Sequence, residues 1–297
     1  MRIYLNGSWI DSAGATVSVE DRGFLFADGI YEVLRFYGGR LFLADPHLKR
    51  MQRGLEAIRI DPATARDLLD IGERLIDENG FRADDGIIYA QITRGAAPRR
   101  HAFPDPGTPA TLYVTAKAHP QPPPASFADG VAAITLPDTR WGRCDIKSIA
   151  LLPNVLANQA AHEAGAFEAV FVRDGVLIEG SHSNLMGVVD GVLVTYPECN
   201  YILGGITRRF VLDVARELDI PVREGPLFAD RIDRIQELFL TGTTTEVMPI
   251  TRLDDRAIGG GRPGAVARRL QQAYREAASG RAPAMARTGM DSPRRPR

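Results

Sequence analysis

The sequence predicts an α/β chain of two domains with α+β character. Three observations carry that expectation. The chain has 297 residues, about two domains' worth. Its β-rich runs are interleaved with stretches of helical apolar spacing. Near the middle, His119-Pro120-Gln121-Pro122-Pro123-Pro124 forms an extended, semi-rigid spacer. A smaller α/β domain is therefore expected over 1–118, the linker over 119–124 and a larger domain over 125–278.

The first domain opens with short strand-like segments and a turn-rich stretch from Glu20 to Gly29. Asp45-Pro46 supplies an N-cap and a first-turn proline, and Leu48, Met51, Leu55 and Ile58 follow on one helical face. A second helix is expected over Pro62 to Asn79, then strands Ile87 to Thr93 and Thr111 to Lys117. In the second domain, strands are expected at Val131 to Thr135, Glu168 to Val172, Val176 to Glu179, Leu185 to Val189 and Val192 to Tyr196. Helices fall near Pro153 to Gly165 and Ile206 to Asp219. Asp174-Gly175 and Asp190-Gly191 lie between apolar runs as hairpin turns, so antiparallel β with separate helices is expected. From Ser279 to Arg297 the chain is rich in Arg, Pro, Ala and Gly without periodicity, the composition of a disordered tail.

Composition narrows the function classes. Hydrophobic residues make up 44% and charged residues 25%, as in ordinary soluble globular proteins. Lys plus Arg number 36 against 37 Asp plus Glu, a net charge of −1, so no global field would hold a nucleic acid or an anionic membrane. The two cysteines, Cys144 and Cys199, suit neither a C-x-x-C motif nor a disulfide framework, which points to a cytoplasmic setting. No apolar run approaches a membrane span, and the first residues turn polar too soon for a signal peptide. Gly259 to Gly264 fits G-x-G-x-x-G letter by letter, but an Asp-rich turn precedes it where a strand is required, so it reads as a loop.

The basic residues are nearly all arginine; the only lysines are Lys49, Lys117 and Lys147. Arginine does not give up its proton in a protein, so amine chemistry has three side-chain candidates. Lys147 follows Arg140, Trp141 and Arg143, and neighbouring cations with partial burial would lower its pKa toward that of a nucleophile and base. From these residues alone a solvated basic loop is the favoured reading, because most Arg/Lys clusters are surface features. Leu203-Gly204-Gly205-Ile206-Thr207 opens a helix whose free N–H groups and dipole suit a phosphate. Thr241-Gly242-Thr243-Thr244-Thr245, after an apolar strand, is a second such signal. Glu179 ends a strand before a small polar turn. Beside a heterocyclic nitrogen it would hold that nitrogen protonated and make the ring an electron sink. The alternatives are a solvated carboxylate, or a serine nucleophile at Ser181, which lacks a G-x-S-x-G frame.

Taken together and in order, Asp21-Arg22-Gly23, Asp28 to Val33, His47 to Arg50, Arg143 to Ser148, Glu179-Gly180, Gly205 to Arg208 and Thr243-Thr244 resemble the fold-type IV pyridoxal-phosphate enzymes. The chain looks like a class IV aminotransferase over about residues 1 to 277. That resemblance implies pyridoxal 5'-phosphate lying between the domains, with Lys147 as its covalent anchor and proton shuttle and Glu179 at the pyridine nitrogen. It places Arg50, Ile206, Thr207 and Thr243 on the phosphate, with Arg53 a rival to Arg50, and leaves Lys49 and Lys117 solvated. It also implies a homodimer.

The substrate class is carried by Thr93-Arg94-Gly95-Ala96-Ala97-Pro98-Arg99-Arg100-His101, similar to the carboxylate trap of D-amino-acid transaminases, with Tyr31 completing it. Arginine offers a planar fork to a carboxylate and histidine adds a donor. The implied substrates are D-amino acids such as D-alanine and 2-oxo acids such as 2-oxoglutarate. The rivals are an L-branched-chain aminotransferase, an aminodeoxychorismate lyase, or a non-enzymatic protein whose Arg-rich tail engages an acidic partner. Gly242 departs from the pattern, standing where these transaminases often carry a serine.

Overall fold

A computed structural model of the protein describes residues 1–280, and the expected tail from Arg281 onward lies outside the described residues. The chain divides into two compact units. The first comprises Met1–Pro120 with Ile146–Leu151, and the second Gln121–Asp145 with the chain from Leu152.

The first unit runs β1 (Arg2–Leu5), β2 (Ser8–Asp11), α1 (Arg22–Phe26), β3 (Gly29–Tyr37), β4 (Arg40–Phe42), α2 (Ala44–Ala57), α3 (Leu68–Glu78), β5 (Gly86–Thr93) and β6 (Thr111–Ala118). Its six strands form an antiparallel sheet in the order β2-β1-β6-β5-β3-β4. Successive side chains of a strand point to opposite faces. On β3, Ile30, Leu34 and Phe36 therefore enter a core with Met51 and Leu55 of α2, Leu75 of α3 and Ile88 of β5. Burying each such side chain stabilises the unit by about 1.5–3 kcal/mol. Tyr31, Val33 and Arg35 take the other face of β3.

Two helix starts differ from expectation. Asp45 lies in the first turn of α2, and the N-cap is Leu43, left-handed at φ 54° with no side-chain cap bond. The helix expected over Pro62 to Asn79 is a 3-10 turn, Pro62–Ala65, capped by Asp61 at the amide of Ala63, followed by α3. Proline at its first position favours the early turn.

The second unit contains α4 (Pro124–Asp129), β7 (Val131–Pro137), α5 (Leu152–Glu163), β8 (Glu168–Arg173), β9 (Val176–Gly180), β10 (Asn184–Val189), β11 (Val192–Thr195), α6 (Ile206–Glu217), β12 (Val222–Glu224), β13 (Leu227–Phe228), β14 (Glu237–Gly242), β15 (Glu246–Leu253), β16 (Arg256–Ala257) and α7 (Ala265–Ala278). Its sheet follows β12-β11-β10-β14-β15-β7-β8-β9-β13, with β16 on β15. The hairpins at Asp174-Gly175 and Asp190-Gly191 form as expected; both aspartates have φ 51° and both glycines φ 75°, the paired positive values a tight hairpin turn requires. The sheet as a whole is mixed, correcting the antiparallel expectation, because β15 pairs β7, β7 pairs β8 and β11 pairs β12 in parallel. Parallel neighbours need long crossovers, which the chains through α5 and α6 supply. α6 buries Phe210, Val211 and Val214 and packs on β14 and α7, with Phe210 edge-on to Tyr274 at 5.8 Å.

Candidate active site

Lys147 sits in the segment that belongs to the first unit, and the sequence around it explains why. Ile146 is apolar and buried in that unit's core. The backbone then pairs with the start of β3: Tyr31 N–H donates to the Lys147 carbonyl at 3.0 Å, Ile149 N–H to the Gly29 carbonyl at 3.2 Å, and Ile30 bridges Ser148. Lys147 thus projects on the Tyr31 face, its Nζ 4.3 Å from the centroid of the Tyr31 ring, a cation–π contact. Tyr31 in turn stacks on Tyr89 at 5.9 Å. The two arginines expected to act on Lys147 are spent on carboxylates, Arg143 on Asp145 and Arg140 on Asp138 and Glu179. Lys49 and Lys117 are exposed.

Glu32 turns to the helix-covered face, where it is fully buried and receives α2. His47 Nδ1 lies 3.0 Å from its Oε1, and Arg50 donates through Nη2 to Oε1 at 2.7 Å and through Nε to Oε2 at 2.9 Å. Burial alone would raise the Glu32 carboxyl, but Arg50 and His47 hold it well below the usual carboxylate range. Burial lowers His47 despite Glu32, so a neutral imidazole donating from Nδ1 satisfies the pair. One edge of Arg50 is therefore fixed by Glu32, which orients the guanidinium. Arg53 is exposed on the same helix.

Arg99 and His101 are exposed on the loop after β5, and both lie against Phe26 of α1, at 4.9 Å and 5.5 Å from its ring. A buried network holds that loop. Arg22 Nη1 donates to the carbonyls of Arg100 at 2.6 Å and Ala102 at 3.3 Å, on either side of His101. Its Nε donates to Asp28 at 2.8 Å, and Asp28 also accepts from Arg94 at 2.8 and 2.9 Å. Burial would raise Asp28, yet Arg94 and Arg22 hold it low. Among the described residues no hydrogen bond or ring contact joins Tyr31 to Arg99 or His101. On the Tyr31 face of β3, Arg35 is 1% exposed, and its Nε, Nη1 and Nη2 have no hydrogen-bond partner among the described residues.

In the second unit, Glu179 closes β9 and is buried. Its Oε2 accepts from Asn184 Nδ2 at 3.0 Å and from the Leu203 amide at 3.0 Å, and its Oε1 accepts from Arg140 Nη1. Burial pushes its carboxyl up to about 7 even though Arg140 pulls it down. Asn184 also donates to the Leu203 carbonyl at 2.8 Å, tying the strand that carries Glu179 to the loop before α6. Ser181 and Ser183 turn their hydroxyls to the buried carboxylate of Glu168, and Ser181 Oγ also lies 3.3 Å from His182 Nδ1.

The α6 start is built to receive an anion. Gly205 caps the helix without a side-chain bond, and the amides of Ile206 and Thr207 precede the first intrahelical bond, Arg209 N–H to the Gly205 carbonyl at 3.0 Å. A Cβ on Gly205 would lie 1.9 Å from Asn184 Oδ1, so only glycine lets Asn184 approach. Thr243 lies in the turn between β14 and β15, and α6 packs on β14. The Thr241 hydroxyl at the end of β14 is buried without a partner among the described residues, opposite Asn184 in the β10–β14 register. Gly242 is no steric necessity: a Cβ there would meet Thr245 Oγ1 at 3.3 Å and Ser183 Cβ at 3.5 Å. The helix-terminal amides, hydroxyls and buried carboxylate of this unit are of the kinds that fit the phosphate and ring nitrogen of pyridoxal phosphate; taken by themselves in the first unit, the amine of Lys147 and the guanidinium of Arg50 are of the kinds that fit its aldehyde and phosphate.

The sequence alone assigns no role to Glu32, His47 or Asn184, and gives Arg140 only that of a cation acting on Lys147. Glu32 and His47 stand within motifs that carry the family resemblance, and their positions on the core faces of β3 and α2 were the available signal. Arg140 pairs with Glu179 across a long stretch of chain that carries no local pattern, whereas Asn184 meets it across the short polar turn after β9.

Comparison with known proteins gives consistent results. The amino-transferase class IV family model matches residues 29–253. The chain is 40% identical over 274 residues to the D-alanine aminotransferase of Staphylococcus epidermidis, covering 92% of this chain and 96% of that one. It is 41% identical over 275 residues to the D-alanine aminotransferase of Bacillus licheniformis, covering 92% and 95%. Among solved structures it resembles the T.th. branched-chain amino acid aminotransferase with pyridoxamine 5'-phosphate, at a TM-score of 0.84 and 29% identity over 95% of each chain. It shares the fold of the Escherichia coli branched-chain amino acid aminotransferase, at a TM-score of 0.85 and 24% identity over 95% and 96%.

Proposed function

The chain belongs to the class IV aminotransferases, and from that premise we propose that it moves the amino group of a D-amino acid such as D-alanine to a 2-oxo acid such as 2-oxoglutarate. The observation that carries the choice of D-amino acid is the identity of about 40% over 92% of the chain to relatives that are D-alanine aminotransferases. The branched-chain enzymes resemble it at lower identity, 29% or less among those compared.

Bound pyridoxal phosphate supplies an aldehyde that takes up an amino group and a ring into which electrons from a breaking Cα–H bond spread. The chain's own residues do the rest. Lys147 Nζ, held over Tyr31, anchors the cofactor and moves the proton at substrate Cα. Glu179 holds a proton at the ring nitrogen. Arg50, oriented by Glu32, the amides of Ile206 and Thr207, and the hydroxyls of Thr207 and Thr243 hold the phosphate. Arg99, His101 and Tyr31 orient the substrate carboxylate, with the Arg22 clamp fixing the loop of the first two.

An acceptor with a second carboxylate is supported by Arg35, a buried guanidinium on the Tyr31 face with no partner among the described residues. Such a charge is costly unless an anion meets it. We read the protein as a cytoplasmic homodimer. Cys144 and Cys199 are free thiols, and α5 exposes Leu152, Val155 and Leu156 on one face, a surface suited to a second copy. Among the described residues no helix is long and apolar enough to cross a membrane.

Turnover of D-alanine, L-leucine and L-valine with 2-oxoglutarate tests the reading. D-alanine is expected to be fastest; faster turnover of either L-amino acid than of every D-amino acid tried would replace it with the branched-chain reaction.

A further inference from the structure

Glu179 stands at the end of a row of buried alternating charges that the reaction as described leaves unused. Arg140 donates through Nε and Nη2 to Asp138 at 2.9 and 3.1 Å, through Nη2 to the Tyr201 carbonyl at 3.2 Å, and through Nη1 to Glu179 Oε1. Its guanidinium carbon lies 4.3 Å from the centroid of Phe171, which excludes water from that face. Arg173 closes the far end with bonds of 2.9 and 3.1 Å to Asp138 Oδ2. The order is Arg173, Asp138, Arg140, Glu179. The Asp138 side chain is 0% exposed and those of Arg140 and Glu179 are 6% and 4%.

The acceptor positions on Glu179 are nearly all taken. A carboxylate oxygen has two lone pairs in the carboxyl plane. Asn184 and the Leu203 amide occupy both on Oε2. Among the described residues Oε1 accepts only from Arg140, so one acceptor position remains, on the oxygen that Arg140 polarises. The other charged and titratable groups facing Glu179 are Asp138, which opposes Arg140, and the Cys144 thiol. Burial pushes that thiol up to about 11, so it adds no charge near neutrality.

We infer that Arg140, fixed by Asp138, is a positioning residue that keeps Glu179 ionised and leaves Oε1 as the single acceptor for the protonated ring nitrogen of the cofactor. The inference rests on the assignment of Glu179 to that nitrogen. Without the guanidinium a buried Glu179 takes up its own proton, and a neutral acid no longer favours charge on the ring. Asp138 matters because it sets the fork: with Nε and Nη2 engaged, Nη1 alone is directed at Glu179.

Holoenzyme reconstituted with pyridoxal phosphate carrying a 15N ring nitrogen reports that protonation directly by NMR across pH, without turnover. Arg140→Met is expected to lower the proton affinity of the ring nitrogen roughly ten-fold or more, about one pH unit in its midpoint. Arg140→Lys, which keeps a cation but cannot fork to both carboxylates, is expected to show a smaller shift in the same direction and decides the matter if Arg140→Met does not fold. A purely structural role would lower melting temperature and cofactor affinity yet leave the ring titration at its wild-type position, and that result overturns the inference. Glu179→Gln separates the two levels. If it moves the ring titration while the folded Arg140 variants do not, only this inference fails; if it leaves the titration unchanged, the Glu179 assignment fails too.

Discussion

Replacing Arg35 with methionine perturbs stability and specificity in opposite directions. The guanidinium is 1% exposed, and all three of its nitrogens lack a hydrogen-bond partner among the described residues. Its one favourable contact of note is the Tyr37 ring at 5.1 Å, worth about 0.5–2 kcal/mol. Replacing buried ionic groups by apolar ones of similar volume commonly stabilises by about 1–4 kcal/mol, and methionine keeps most of the volume. Arg35→Met should therefore stabilise the apoenzyme, with each 1 kcal/mol raising the melting temperature by roughly 2–4 °C for a chain of this size.

The cost appears in catalysis. If Arg35 meets the distal carboxylate of the acceptor, losing a hydrogen bond to a charged group removes about 1.5–3 kcal/mol, or roughly ten- to a hundred-fold in kcat/KM for 2-oxoglutarate. Pyruvate has no second carboxylate and should be nearly indifferent. Thermal unfolding without ligand and steady-state kinetics with the two acceptors read out both halves. A fall in melting temperature would show that Arg35 has a partner in the native protein, and equal losses with the two acceptors would remove it from substrate recognition.

Lys147→Ala should fold and lose transamination, and borohydride reduction of the wild type should leave the pyridoxyl label on Lys147; a label on Lys49 or Lys117 refutes the assignment. Glu179 gives a pH signature in the apoenzyme. Its folded carboxyl is raised to about 7 from 4.5, so the stability it contributes is full below about pH 4.5 and is lost as pH rises through about 7. Relative to Glu179→Gln, the wild type should lose on the order of 3 kcal/mol over that window, and a pH-independent difference in urea unfolding would count against it. Arg22→Met should raise KM for D-alanine roughly ten-fold while cofactor affinity stays near wild type, because the loop of Arg99 and His101 loses its clamp while Asp28 keeps both bonds from Arg94; a loss of cofactor would show that Arg22 supports the whole unit. In Gly205→Ala the new Cβ would collide with Asn184 Oδ1, so cofactor affinity and melting temperature should both fall, and unchanged titration of the apoenzyme with pyridoxal phosphate would mean the helix start does not hold the phosphate.

How far the sequence disclosed this molecule depends on whether a feature is written in neighbouring residues. Asp174-Gly175 and Asp190-Gly191 were legible as hairpins because two adjacent residues with positive φ determine the turn. The direction of β7 relative to β8 was not, because parallel pairing is decided by where a long crossover returns and leaves no local mark. The start of α2 misled for a related reason: Asp45-Pro46 is a strong capping signal, yet the chain turns one residue before the helix, through Leu43 in the left-handed region.

The same distinction governs the candidate site. Lys147 stood out because the resemblance puts it, and not Lys49 or Lys117, at a cofactor position, but the two arginines expected to act on it have other partners. Arg140 and Arg143 are near it in sequence and each is ion-paired, Arg140 with buried Asp138 and Glu179 and Arg143 with Asp145. What stands beside Lys147 in its own unit is the Tyr31 ring beneath the amine. Tyr31 lies on the face of β3 opposite Glu32, so that contact depends on the pleat of one strand and on the backbone pairing of Lys147 with its start. Motif reading ranks residues by what stands beside them in the chain. Charge in a folded protein is set by what stands beside them in space, and for Arg140 that difference changes it from an expected perturbant of the lysine into a partner of Glu179.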